Sequence, residues 1–167
     1  MATTYDKIAT TTLSSAASSI TFSSIAASWT DLRLILVGTT VVTGENVIMQ
    51  FNSDTATNYS FTRLDGSGTA ASSGRNANTS FLIWTQAGGT SNTIPTFFTA
   101  DIFSYAGSTY KTSLLTSSED KNGSGEIERY VGLWRNTSAI TRLDLTTNGG
   151  SNFATGTTAT LYGIKAA

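Results

Sequence analysis

The stretch Asp31-Leu-Arg-Leu-Ile-Leu-Val37 decides the fold class. Leu32, Leu34 and Leu36 fall on one side of an extended chain; Arg33, Ile35 and Val37 fall on the other. This period of two belongs to a β-strand, and no helix reproduces it. Working outward, the same alternation recurs. Val47, Met49 and Phe51 interleave with Ile48, Gln50 and Asn52, and Ile127, Arg129, Val131 and Leu133 interleave with Glu128, Tyr130, Gly132 and Trp134. Thr141, Leu143 and Leu145, and Thr160, Tyr162 and Ile164, repeat the pattern near the end. Further strands are expected over residues 5–12, 18–22, 59–64, 81–85, 96–104 and 110–117. Clusters such as Asp65-Gly-Ser-Gly68, Gly88-Gly-Thr-Ser-Asn92 and Asn148-Gly-Gly-Ser-Asn152 separate them as turns. Pro95 precedes a strand, where its missing N–H does no harm.

About ten short strands at this spacing predict an all-β chain: a jelly roll, or two-sheet antiparallel β-sandwich. Residues 1–167 read as one domain with a short N-terminal arm, residues 2–12, and no internal repeat or linker interrupts it. One helical turn is expected at Ile25-Ala-Ala-Ser-Trp29, which sets Ile25 and Trp29 one turn apart.

The composition limits the chemistry. The chain has neither cysteine nor histidine, so a disulfide framework, a thiol nucleophile and a Ser-His-Asp triad are all excluded. The commonest general base and metal ligand is missing with histidine. Charged residues make up 13% of the chain, against about 25% in an average domain. Ser and Thr supply roughly a third of it. With a net charge of −1, the surface offers no basic stripe for nucleic acid and little repulsion between copies. No signal peptide is visible at the start, and no apolar run reaches the ~20 residues of a membrane span. The chain is therefore expected to be soluble.

Several stretches imitate functional motifs. Asp120-Lys-Asn-Gly-Ser-Gly-Glu-Ile-Glu128 opens like a calcium-binding loop, with Asp120, Asn122, Ser124 and Gly125 in place. Val131 stands where the bidentate glutamate belongs, and the flanks read as strands, so a plain turn is the expectation and no metal is assigned. Glu126 and Glu128 share a strand face and are the nearest approach to a glycosidase pair. They are expected at a solvated strand end, with nothing to raise either pKa. Asp101 interrupts an apolar strand and is expected buried against an arginine. A Ser–Lys dyad has a low prior in so serine-rich a chain. The sequons at Asn58, Asn78, Asn122 and Asn136 are what this composition yields by chance. Trp29 and Trp134 read as core. Trp84, beside Thr85-Gln86 and Gly88-Gly89, is left open as a residue on which a sugar could stack.

Read as a whole, the chain resembles a family of short Ser/Thr-rich virion proteins from tailed phages, including cyanophages and marine phages. The resemblance lies in Ser19-Ile-Thr-Phe-Ser-Ser-Ile25 with Trp29-Thr-Asp-Leu-Arg-Leu34, then Phe51-Asn-Ser-Asp-Thr55 with Asn58-Tyr-Ser60, then Leu64-Asp-Gly-Ser-Gly68. It ends with Val131-Gly-Leu-Trp-Arg135, Ala139-Ile-Thr141 and Leu161-Tyr-Gly-Ile164. These motifs in this order span most of the chain. The resemblance implies a jelly-roll or β-sandwich fold, a place in the virion, and no catalytic or cofactor-binding residue. Similar sequences look like capsid cement in some phages and like tail or fibre parts in others.

The leading expectation is a capsid decoration (cement) protein. It would be a homotrimer that binds the phage major capsid protein and touches it through the N-terminal arm and long loops. The alternative is a tail-fibre, spike or baseplate module that binds host-surface glycans near Trp84 and the Asn52-Ser53-Asp54 turn. A small glycan-degrading enzyme is the third class. It lacks a second convergent acid, so the chain is expected not to be an enzyme and to need no cofactor.

Overall fold

A computed structural model describes residues 4–86 and 88–165. Twelve strands are present among them: β1 (Tyr5–Thr12), β2 (Ser19–Phe22), β3 (Asp31–Gly38), β4 (Val47–Phe51), β5 (Tyr59–Gly66) and β6 (Ala71–Thr79), followed by β7 (Leu82–Ile83), β8 (Thr96–Ile102), β9 (Lys111–Glu119), β10 (Glu126–Trp134), β11 (Leu143–Thr147) and β12 (Thr158–Ile164). They form two antiparallel sheets. One has eight strands in the order β1-β12-β3-β8-β9-β10-β5-β6, and the other has four in the order β2-β11-β4-β7. The chain enters each strand of the small sheet from the large one and returns to it, a jelly-roll-like winding of a β-sandwich.

The alternation read in residues 31–37 is what builds the interior. Leu32, Leu34 and Leu36 are buried between the sheets, while Arg33 and Ile35 stay partly open. Phe98, Ala100 and Ile102 of β8, Leu115 of β9, and Tyr130 and Trp134 of β10 extend this inner layer. Met49, Phe51, Leu143 and Leu145 of the small sheet meet it. Each fully buried leucine or phenylalanine contributes roughly 1.5–3 kcal/mol of transfer free energy. At one end, Tyr59, Phe51 and Trp134 pack ring against ring, with Tyr59 and Trp134 stacked at a 6.2 Å centroid distance.

Twelve strands replace the expected ten or so, and β6 accounts for much of the difference. Its sequence, Ala-Ser-Ser-Gly-Arg-Asn-Ala-Asn-Thr, has no apolar alternation because almost every side chain is exposed. Backbone pairing with β5 makes it a strand. The stretch at 81–85 shortens to β7, which holds only Leu82 and Ile83.

The expected helical turn at Ile25–Trp29 does not form. The backbone groups of this segment go elsewhere: the Ile25 N–H to the Thr141 carbonyl at 2.9 Å, and the Ala26 carbonyl to the Tyr105 hydroxyl. Ser24 turns the chain with φ of 56°. The Trp29 ring lies flat against Gly163, where a Cβ would come within 2.2 Å of it.

The N-terminal arm contains the strand expected over residues 5–12. Its described part is the edge strand β1, paired to β12 along its length with a bulge between Lys7 and Ala9. Asp6 anchors it, accepting from Trp29 Nε1 at 3.0 Å and pairing with Lys165 at 2.7 Å. Ala2 and Thr3 lie outside the described residues.

Candidate functional site

The motif at Asp120–Glu128 is a turn joining β9 to β10. The Asp120 carboxylate accepts from the Gly123 N–H at 2.7 Å, and Asn122 and Gly123 take φ of 62° and 94°. Gly125 is needed for close approach, since a Cβ there would lie 2.3 Å from the Glu119 carbonyl oxygen. A cation from the chain itself occupies the neighbourhood. Lys121 Nζ sits 2.6 Å from Glu119 Oε1 and donates to the Gly88 carbonyl at 3.2 Å.

Glu126 and Glu128 do not sit at a solvated strand end, which corrects the sequence reading. Glu128 is 1% exposed. It accepts from Thr85 Oγ1 at 2.8 Å, from the Gln86 N–H at 3.1 Å and from the Tyr130 hydroxyl, with Arg63 4.0 Å away. Burial and the bond to Glu128 push the Tyr130 hydroxyl well above the ordinary phenol range. Burial first, and then the neighbouring Glu128 carboxylate, raise Glu126 above the usual glutamate value. Its Oε2 is buried without a hydrogen bond among the described residues. Toward this end the inner faces of the strands carry Glu119, Glu126, Glu128, Arg63 and Asp65, and Gly88 lies close to the Glu126 carboxylate. Glu128 is therefore a strut that holds Thr85 and Gln86, with no face open to a substrate.

The other candidates are likewise committed inside the molecule. Asp101 lies on the outer face, not in the core, and pairs with Arg33 at 3.2 Å; the two side chains are 25% and 33% exposed. Trp84 is fully buried and donates its indole N–H to the Thr99 carbonyl at 2.9 Å, so the open reading of Trp84 as a sugar platform is overturned. Trp134 is buried and donates to Asp54 at 2.7 Å, while Trp29 is half-buried. The Asn52-Ser53-Asp54 turn has left-handed backbone at Asn52 and Ser53. Asn52 Oδ1 accepts from the N–H groups of Thr141 and Arg142 at 2.9 and 3.1 Å. Burial opposes ionisation of Asp54. Donors from Asn58, Trp134 and the Ala56 N–H outweigh it and hold the carboxyl below its ordinary value.

Sequence reasoning passed over two features. Lys111 is fully buried, and its ammonium donates to the Gly107 carbonyl at 2.7 Å and to the Thr109 carbonyl, bracing the β8–β9 loop. The second feature is the outer face of the eight-stranded sheet, where β9, β10, β5 and β6 lie side by side. Ile127, Leu64 and Val131 are 60%, 61% and 50% exposed there, and Phe97 on β8 is 45% exposed. The register fixes their layout. Phe97, Ser118, Ile127, Gly66 and Ala71 form one row. Thr116, Arg129, Leu64 and Ser73 form the next, and Leu114, Val131, Thr62 and Arg75 the one after. Three shallow clefts lie along it: one of about 350 Å³ walled by Val131 and Arg75, one of about 260 Å³ by Leu64, Arg129 and Val131, and one of about 330 Å³ by Leu64, Ile127 and Arg129. The signal was available in the alternation of residues 126–134. Its apolar members Ile127, Val131 and Leu133 fall opposite Tyr130 and Trp134, and only one set can face the core. Comparison with protein-family models, with characterised proteins and with solved structures finds no match to this chain.

Proposed function

We propose that this chain is a structural protein of a tailed-phage virion, a capsid decoration protein that binds the major capsid shell as a homotrimer. The observation that carries the reading is the outer face of the large sheet. Leu64, Ile127 and Val131 stand more than half exposed, or half exposed in the case of Val131, on adjacent strands. Contiguous apolar surface of this kind marks interaction sites more often than free surface. The low charge of the chain, 13% of residues, agrees with a molecule that spends its life packed against others. The resemblance in the motifs from Ser19 to Ile164 points the same way. A protein that binds the assembled shell in preference to its free subunits stabilises the shell by linkage.

The glycan-binding reading rested on Trp84 and the Asn52–Asp54 turn. Trp84 is enclosed, and the turn's side chains bond within the molecule, so no observation favours it. Immunogold electron microscopy of purified phage, with antibody to this chain, tests the proposal. Gold over the heads is the expected result. Gold confined to tails would overturn the decoration reading, and unlabelled particles would overturn the virion assignment itself.

A further inference from the structure

We infer that the outer face of β9, β10, β5 and β6 is the docking surface, and that its partner is an acidic protein surface with apolar side chains. That the partner is a capsid shell rests on the reading above; its chemistry is argued from this face alone.

The charges on these four strands are sorted by sign. Alternation along β10 turns Glu126 and Glu128 toward the sandwich interior and Ile127, Arg129 and Val131 outward. On β5 the interior-facing positions hold Arg63 and Asp65, which pair with each other at 2.9 Å, and the outward ones hold Thr62 and Leu64. Glu119, at the end of β9, is likewise held inside by Thr96 and Lys121. The outward positions of the four strands therefore carry no carboxylate, but they carry two exposed guanidinium groups, Arg129 and Arg75. Neither forms an ion pair among the described residues. Two strand spacings, roughly 10 Å, separate β10 from β6. The two arginines thus flank Thr62 and Leu64 of β5 and stand at the edges of the apolar clefts.

Charge complementarity selects the occupant. A second copy of the same face would set arginine against arginine with no acid to answer it, which is repulsive. A polyanion such as nucleic acid would find two cations and a floor of leucine, isoleucine and valine, with no basic stripe to follow. An apolar protein surface with carboxylates at its margin satisfies both features. Arginine's planar fork suits carboxylates in such a setting.

The test is binding of the purified chain to heads from phage lacking this protein, measured against sodium chloride concentration. R75E and R129E, singly and together, are compared with K7E, which makes the same charge change on β1. The expected result is wild-type binding that weakens with salt, a loss of about tenfold or more for the double variant, and little change for K7E. L64T/V131T, which keeps the strands and removes the apolar floor, is expected to lose binding as well, with melting curves confirming that each variant is folded. Wild-type binding matched by the folded R75E/R129E protein would overturn this docking face while leaving the decoration reading intact. Normal binding by L64T/V131T together with displacement by dextran sulfate would identify a polyanion site and overturn the inference. No binding of wild type to heads would overturn the decoration reading itself.

Discussion

The outer face of the large sheet has two halves that share one core and differ in how they finish their surface. Across β1, β12, β3 and β8 the outward side chains answer one another. Thr10 bonds Thr160 at 3.1 Å, Thr12 bonds Thr158 at 2.9 Å, and Arg33 pairs with Asp101. The free edge of this half carries a bulge and Lys7, two devices that discourage a further strand from adding. Across β9, β10, β5 and β6 the outward side chains have no such cross-strand hydrogen bonds or ion pairs among the described residues. Leucine, isoleucine and valine stand open, Arg75 and Arg129 form no ion pair there, and β6 closes the sheet with its own bulge opposite Tyr59 and Phe61. Val37 on β3 and Phe97 on β8, paired across those strands and 39% and 45% exposed, are apolar exceptions within the first half. The contrast teaches that exposure alone is a weak signal of function. A half-face whose polar groups are satisfied internally can stay in water, whereas one that is apolar and carries charge of a single sign has the makeup of an interaction surface.

The largest expected effect concerns what the halves share. Leu34→Ala, beneath the paired half, should cost about 2–5 kcal/mol in denaturant unfolding, as a buried cavity does. A cooperative transition, with both halves lost together, would confirm one core; two separate transitions would break the premise that they share it. The second test probes the root of the open half. Burial and the neighbouring Glu128 carboxylate raise the folded-state pKa of Glu126, so the folded protein holds more protons than the unfolded chain as pH rises past the ordinary glutamate value of 4.5. Stability should therefore fall as pH rises from there through the raised folded pKa, and then level off. E126Q, neutral throughout, should lose that decline; an unchanged slope would mean another group is responsible.

The smallest effects separate the two halves directly. R33A should cost at most about 1 kcal/mol, an amount that shrinks with added salt, because the pair it breaks is partly exposed. V131T should change stability by only about 0.5 kcal/mol or less. A V131T cost as large as that of a buried residue would show that Val131 packs within the molecule, and would erase the distinction between the halves.

Much of the fold was legible because strand periodicity is a local property. Residues 31–37 alternate strictly, and the buried leucines follow from that alone. β6 was not legible, since a strand exposed on both faces needs no apolar pattern and exists through its pairing with β5. The segment 25–29 has helical spacing, yet its carbonyls and amides found better partners in Tyr105 and Thr141. For the candidate site, the Asp120 turn was readable from glycine and asparagine chemistry. The enclosure of Trp84 and Glu128 was not, because it depends on partners distant in sequence, Thr99 for Trp84 and Thr85 for Glu128.

The sequence by itself determined the class, two antiparallel layers with leucines between them, and the poverty of catalytic side chains, with no histidine or cysteine anywhere in the chain. Only the tertiary structure decided which side of β10 met the core. Glu126 and Glu128 alternate with Ile127 and Arg129, so either face could have been buried on local grounds. Tyr130 and Trp134 share the glutamates' face and carry the larger aromatic surface, and burying it drew both carboxylates inward. That choice left Ile127, Val131 and Arg129 on the outer, exposed face of the sheet.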